Sequence, residues 1–413
     1  MTRNWAGTYE YTAPMIVTAR TEDEVRRALA GGGPVHALGT RHSFTDLPDT
    51  GGTLIDVSGL EGGFELGDGT VRVAGGTRYG VLASWLDERG LALHNLGSLP
   101  HISVAGATAT GTHGSGDAHG VLTTAVRGIR YLDAHGALHE VRRGDPDFAA
   151  VAVGLGAFGV VVSLDLATEP TYRVRQDVYR DVTWDAALHA LPAVTGAGYS
   201  VSVFTRWDPE SIGYVWVKTR LDDDRQPVPE TLLDGVRDVD AEPLGGLADV
   251  TELRGVPGPW MLRLPHFRLD GTPSFGDEIQ SEYFVSREHA VTALLAMREL
   301  GELIRPVLFV SELRTAAADD LWLSPAYGRD ILAIHFTWRN DPDAVGRVIP
   351  EIERALEPYA ARPHWGKRHG FGRERLERVH PRLADAREVF ERLDPDGRFV
   401  NRHLIRVGAR RPR

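Results

Sequence analysis

Val35-His36-Ala37-Leu38-Gly39-Thr40-Arg41-His42-Ser43-Phe44 runs from a short apolar strand into a glycine-led polar turn that presents a histidine. Backbone N–H groups of such a turn can cradle a phosphate, and imidazole is a nucleophile at neutral pH. His42 can therefore face whatever the phosphate belongs to. A loop histidine bonded to nearby backbone is the alternative reading of the same residues. Farther on, a second small-residue loop runs Leu99-Pro100-His101-Ile102-Ser103-Val104-Ala105-Gly106-Ala107-Thr108-Ala109-Thr110-Gly111-Thr112-His113-Gly114-Ser115-Gly116. Two such loops suggest an extended diphosphate cofactor.

The chain has 413 residues, more than one typical core holds, which favours two domains or two interleaved ones. A net charge of -11 argues against a nucleic-acid partner, which needs a basic face. There is no cysteine, so disulfides, thiolate catalysis, iron–sulfur clusters and any cysteinyl cofactor link are excluded. Histidine, tyrosine, lysine and carboxylates remain as covalent anchors. Without cysteine or an H-E-x-x-H pattern, His101 and His113 give no reason to expect a metal. The start has no apolar signal region, and the longest apolar stretch, residues 149–164, is short for a membrane span. The expectation is a soluble, cytoplasmic, monomeric protein. Arginine has almost displaced lysine, leaving Lys218 and Lys367. Coding bias explains much of that, yet arginine cannot lose its proton near neutral pH and lysine can.

Thr21 and Glu24 have capping-box spacing, which predicts a helix ending at Gly31-Gly32-Gly33. Thr53-Leu54-Ile55-Asp56-Val57, the turn Gly67-Asp68-Gly69 and Thr70-Val71-Arg72-Val73-Ala74 read as hairpin strands. Residues 79–89 read as a helix, and 126–132 with 137–141 as a hairpin around His135-Gly136. Gly154-Leu155-Gly156-Ala157-Phe158-Gly159 fits the dinucleotide pattern, but the residues after it read as a strand where a Rossmann site needs a helix. From about residue 171 antiparallel strands dominate, at 200–204, 213–219, 307–315 and 331–338, with a Pro/Asp-rich loop at 221–230 and a helix over 288–304.

Strand side chains alternate faces, so Glu312 and Arg314 share one, flanked by apolar Val310 and Leu313 on the other, and His335 shares one with Thr337. Two polar pairs could floor a pocket for a hydroxyl-rich small molecule; an exposed Glu–Arg pair on a sheet is the blander alternative.

Taken in order, the Gly39-x-x-His42-Ser43-Phe44 turn, the Ser98-Leu99-Pro100-His101 loop through Thr110-Gly111-Thr112-His113, Glu312-x-Arg314 and His364-Trp365-Gly366-Lys367 resemble the alditol (xylitol) oxidases of the vanillyl-alcohol-oxidase-type flavoprotein family. The resemblance covers nearly the whole chain, and its specificity lies in the ordered set. It implies an α+β, two-domain FAD-binding (PCMH/VAO-type) fold. Residues 1–171 would bind FAD. Residues 172–370 would form a substrate domain on a large antiparallel sheet flanked by helices, aldonolactone-oxidase-like in its C-terminal part. Residues 371–413 would return to the first domain.

The implied cofactor is FAD, joined covalently through His42. Its contacts would fall on Gly39, Thr40, Arg41, Ser43, Ser98, Ser103, Gly106, Thr110, Gly111, Thr112, His113, Gly159, Val161 and His364. The implied substrate contacts are Ser98, Glu312, Arg314, Thr337 and Lys367, with Glu312, Arg314, Lys367 and His335 catalytic. Lys367 or His335 would assist proton loss. The implied reaction converts the terminal primary hydroxyl of a polyol such as xylitol or sorbitol to the aldose, with dioxygen reduced to hydrogen peroxide. An aldonolactone oxidase or dehydrogenase shares these motifs, and a non-catalytic flavin- or sugar-binding protein is the alternative from another class.

Arg41 stands where many related oxidases carry a second glycine, so it either pairs with phosphate or hinders the histidine link. Gly97 sits where a small residue is associated with dioxygen reaching the reduced flavin; a turn glycine of positive φ is the local alternative.

Overall fold

A computed structural model describes residues 2–221, 227–247 and 249–412. Part of the expected loop at 221–230 therefore lies outside the described residues. The helix Glu22–Ala30 forms with a complete capping box, Thr21 accepting from Glu24 N–H while the Glu24 carboxylate reaches back. It covers a three-stranded parallel sheet ordered Met15–Thr18, Thr53–Asp56, Val35–Leu38. The expected hairpin between Thr53–Asp56 and Thr70–Ala74 does not exist. Leu54, Ile55 and Asp56 are consecutively buried, the mark of a strand covered on both faces, and such a strand belongs in a parallel sheet. The hairpin at Gly67-Asp68-Gly69 instead joins Glu65–Gly67 to Thr70–Ala74.

That hairpin edges a five-stranded antiparallel sheet, continued by Val160–Ala167, Val126–Leu132 and Leu138–Arg142. The glycine-rich segment 154–159 turns directly into the strand Val160–Ala167, so no helix opens there and the dinucleotide pattern has no Rossmann context. A Cβ at Gly159 would meet the Tyr131 ring at 2.6 Å and Leu132 O at 2.7 Å, so glycine is needed for two strands to close.

The second unit is a ten-stranded antiparallel sheet. Its central order is Arg173–Thr183, Ser211–Leu221, Ser200–Thr205, Leu308–Ala316, Ile331–Arg339, Glu278–Ser286. Helices Trp184–His189, Ala290–Glu299 and Pro342–Ala355 pack on it, and Tyr283, Leu313, Ile334, Phe336 and Trp338 join the main core with them. The opposite face of the central strands carries polar side chains toward the N-terminal sheets.

After residue 371 the chain is helical, in Arg373–Val379, Leu383–Leu393 and Arg402–Arg406, and it packs on the N-terminal sheets. Phe399 enters the core formed by Val25, Leu29, Val35 and Ile55, and Val35 N–H donates to Arg398 O at 2.8 Å. Buried Asn401 caps the last helix by accepting from Leu404 N–H, and its amide donates to Leu47 O at 2.9 Å and Asp49 O at 2.8 Å. Asn401→Ala removes the cap and orphans two carbonyls, at an expected cost of about 2–4 kcal/mol. Equilibrium urea unfolding checks this; an unchanged midpoint would show that this anchor is not structural.

Candidate active site

Strand register assembles the polar wall. Glu312 pairs across with His335, and His335 with Glu282, placing the three side chains in one row on one face. The adjacent row is Val310, Thr337 and Gln280. Val310 thus lines the cleft beside Glu312 and does not share the face of Leu313, because residues 310, 312 and 314 alternate together.

Glu282 is the hub. Its carboxylate accepts from Lys367 Nζ at 2.6 Å and Arg314 Nη2 at 2.9 Å, and His113 Nε2 lies 3.1 Å away. Lys367 Nζ also meets His335 Nδ1 at 2.9 Å, and His335 Nε2 meets Thr337 Oγ1 at 3.0 Å. Arg314 Nη1 donates to Ser98 Oγ at 3.0 Å, while its Nε lies 3.4 Å from Glu312 Oε1. Glu312 Oε1 meets His266 Nε2 at 2.6 Å.

Burial alone would raise both glutamates. For Glu282 the neighbouring Lys367, His113 and Arg314 outweigh it, and for Glu312 Arg314 and His266 do, so both carboxyls are held well below the usual range. Burial lowers the Lys367 ammonium, with Glu282 opposing. Burial and then Lys367 push His335 down to about 3, so this imidazole is neutral and a weak base. The wall therefore carries two carboxylates facing Arg314 and Lys367, and its charge is nearly balanced.

Opposite this wall lies the first glycine turn. His42 Nδ1 bonds Thr40 Oγ1 at 3.1 Å, Trp5 stacks on the ring, and the buried Nε2 finds no partner among the described residues. Burial, then His101 and Arg78, lower this imidazole to about 4. The N–H groups of Thr40, Arg41, His42 and Ser43 bond no protein acceptor among the described residues. The second loop closes on the first, with Ser103 N–H donating to Thr40 Oγ1 at 3.1 Å. A Cβ at Gly39 or Gly106 would stand 2.8 Å from Ser103 Oγ, so side chains there would fill the space between the loops. Phe44 N–H donates to Gly366 O at 2.7 Å, tying the His42 turn to Lys367. Arg41 adopts φ 65° and turns its guanidinium to Asp56 Oδ2 at 2.5 Å.

One cleft joins both sides, and its lining runs from the His42 turn and the second small-residue loop to Glu312, Thr337 and Lys367. An orphaned ring nitrogen, free backbone donors and a glycine cradle fit FAD. Of the residues that the resemblance assigns to cofactor or substrate, all line this cleft except Gly111. Gly111 sits at φ +66°, where a Cβ would meet Pro325 at 2.8 Å, and serves the loop's turn. Sequence reading missed Glu282, Gln280 and His266. Glu278, Gln280 and Glu282 alternate with Ile279, Ser281 and Tyr283, and that pattern is the signal that could have found the strand. Among the described residues no group of three His, Asp or Glu is placed to hold a metal, and no helix is long and apolar enough to cross a membrane.

Residues 13–142 match the family described as FAD binding domain, and residues 277–407 the family described as D-arabinono-1,4-lactone oxidase. An alditol oxidase of Streptomyces sp. is 41% identical over 97% of each chain. An L-gulono-1,4-lactone dehydrogenase of Mycobacterium tuberculosis is 31% identical over 98% of each. A xylooligosaccharide oxidase from Myceliophthora thermophila shares the fold at 15% identity, with a TM-score of 0.74 over 97% of this chain and 93% of that one. A cholesterol oxidase from B. sterolicum does so at 14% identity and a TM-score of 0.77, over 98% and 96%. With a full-length relative at 41% identity and an FAD-binding domain upstream of a lactone-oxidase-type one, this chain belongs to the alditol oxidase family of vanillyl-alcohol-oxidase-type flavoproteins.

Proposed function

We propose that the protein is an FAD-dependent alditol oxidase, converting the terminal CH₂OH of a linear polyol to an aldehyde while dioxygen becomes hydrogen peroxide. The observation that carries the reading is the series Ser98, Glu312, Arg314, Thr337 and Lys367, which lines the same cleft as His42. A linear polyol has many hydroxyls and little apolar surface. Glu312 accepts, Arg314 donates as a fork, and Ser98 and Thr337 do either, so consecutive hydroxyls can each be satisfied.

The two loops would hold FAD and His42 would anchor it, and the flavin would supply the hydride acceptor and the route of electrons to dioxygen. Lys367 takes the hydroxyl proton. His335 accepts from Lys367 through Nδ1, carries its own proton on Nε2 toward Thr337, and is too weak a base for that task. Burial lowers the Lys367 ammonium and so eases loss of its proton, and anionic Glu282 holds the ammonium formed when it takes the hydroxyl proton. Arg314, fixed by Glu282 and Ser98, orients the reacting end.

The match of residues 277–407 to the lactone-oxidase family favours a second reading, in which the same wall receives an aldonolactone. Peroxide production should be faster with xylitol or sorbitol than with any aldono-1,4-lactone, and Lys367→Met should lower polyol turnover about 10²–10⁴-fold. Faster turnover of the lactone would overturn the alditol reading.

Covalent attachment predicts that acid precipitation leaves the flavin with the protein, and that a His42→Ala variant releases it to the supernatant. Flavin release from the unaltered enzyme would disprove the link while leaving FAD in place.

Gly97 is not a positive-φ turn glycine, and a Cβ there would stand 3.6 Å or more from its nearest neighbours. The fold has room for alanine, so the smallness of this position serves the cleft. Gly97→Ala should slow reoxidation by dioxygen and spare turnover with a dye acceptor; equal loss with both acceptors would refute that role.

A further inference from the structure

Lysine and arginine together number 46, and only Lys218 and Lys367 are lysine. Both are tied to carboxylates of the cleft, one directly and one through a histidine. Lys367 bonds Glu282 directly. Lys218, in the strand Ser211–Leu221, is wholly buried and does not line the cleft. Its Nζ meets Leu264 O, Pro265 O at 3.4 Å and His266 Nδ1 at 3.0 Å. His266 passes the contact on through Nε2, which is 2.6 Å from Glu312 Oε1 and 3.3 Å from Ser202 Oγ.

The donors fix the direction of this chain. An ammonium only donates, so His266 Nδ1 accepts and the imidazole keeps its proton on Nε2, pointed at a carboxylate that only accepts. Two carbonyls and a ring nitrogen converge on one atom, a geometry that suits a compact ammonium and not the planar fork of arginine. Glu312 Oε2 takes no protein hydrogen bond among the described residues.

We propose that Lys218 is a positioning residue for polyol oxidation: through His266 it holds Glu312 Oε1 and leaves Oε2 to accept a substrate hydroxyl. Loss of the Lys218 proton frees His266 to take its other tautomer and withdraw the donor from Glu312. Burial pushes the Lys218 ammonium down to about 7, with Glu312 supporting the charge and Arg314 opposing it. His266 is the remaining titratable neighbour, and the cross-strand partners Gln176 and Ser200 are uncharged. The inference rests on Glu312 receiving the polyol.

A chain with two lysines offers a direct measurement. Holoenzyme labelled with ¹³Cε-lysine should give two side-chain signals, assigned with Lys367→Met. The Lys218 signal should titrate near neutrality, and Glu312→Gln should lower its midpoint because the supporting carboxylate is gone; equal midpoints in the two enzymes overturn the coupling. Lys218→Met should lower kcat/KM for xylitol roughly 10–100-fold, mainly through KM, at unchanged flavin content. In a His266→Gln background, whose amide donates to Glu312 without a tautomer to choose, the same substitution should cost less than about threefold. Fully additive losses, or a wild-type KM in Lys218→Met, overturn the proposal. If Glu312→Gln keeps wild-type polyol turnover, the placement of the polyol at Glu312 is what fails. If Glu312→Gln is impaired and Lys218→Met is not, only the role of Lys218 fails.

Discussion

A carboxylate with no access to water cannot stay ionised without partners, and Glu282 meets that constraint by drawing three distant segments together. Its side chain is 0% exposed, and it is bonded to Lys367, Arg314 and His113. These come from the His-Trp-Gly-Lys turn, the strand Leu308–Ala316 and the second small-residue loop. Removing one partner of a buried pair commonly costs about 3–5 kcal/mol, because the remaining charge is left uncompensated. The ion pairs around Glu282 therefore hold the polar wall and the second small-residue loop in one arrangement, and they keep Arg314 and Lys367 at the cleft.

The closure of the two units follows from that anchor. Gly366, one residue from Lys367, accepts from Phe44 N–H and Ser43 Oγ, so the turn bearing His42 is set by the segment that places Lys367. Asn401 and Phe399 then fix the C-terminal helices against the N-terminal sheets. His42 and Lys367 are separated by more than 300 residues in sequence, and their turns are joined by direct hydrogen bonds.

Local chemistry made some of this legible in the sequence. The capping box at Thr21 and Glu24, the glycine-led turn at His42 and the period-two pairs at 312/314 and 335/337 each act over a few residues, and each has the expected structure. Long-range choices were not legible. Thr53–Asp56 alternates weakly enough to pass for a hairpin strand, and only its burial on both faces shows a parallel partner. Glu282 escaped notice because its strand carries no turn signal to mark it, and its three partners lie 32 to 169 residues away in sequence. His266 lies in an irregular segment where no periodicity points to Glu312. Its role exists only through the pairing of distant strands.

Arg41 shows how a local departure is absorbed. Its left-handed backbone, φ 65°, is the conformation that glycine adopts freely and that costs other L-residues roughly 1–2 kcal/mol. From this backbone the side chain reaches the Asp56 carboxylate, which also accepts from Ser58 N–H and Oγ. A charge-assisted bond to a nearly buried carboxylate is of the size needed to offset that strain. The Arg41 cation braces the parallel sheet through Asp56 of the strand Thr53–Asp56. Arginine is tolerated at this position because the left-handed conformation that asks for glycine also brings the guanidinium to Asp56.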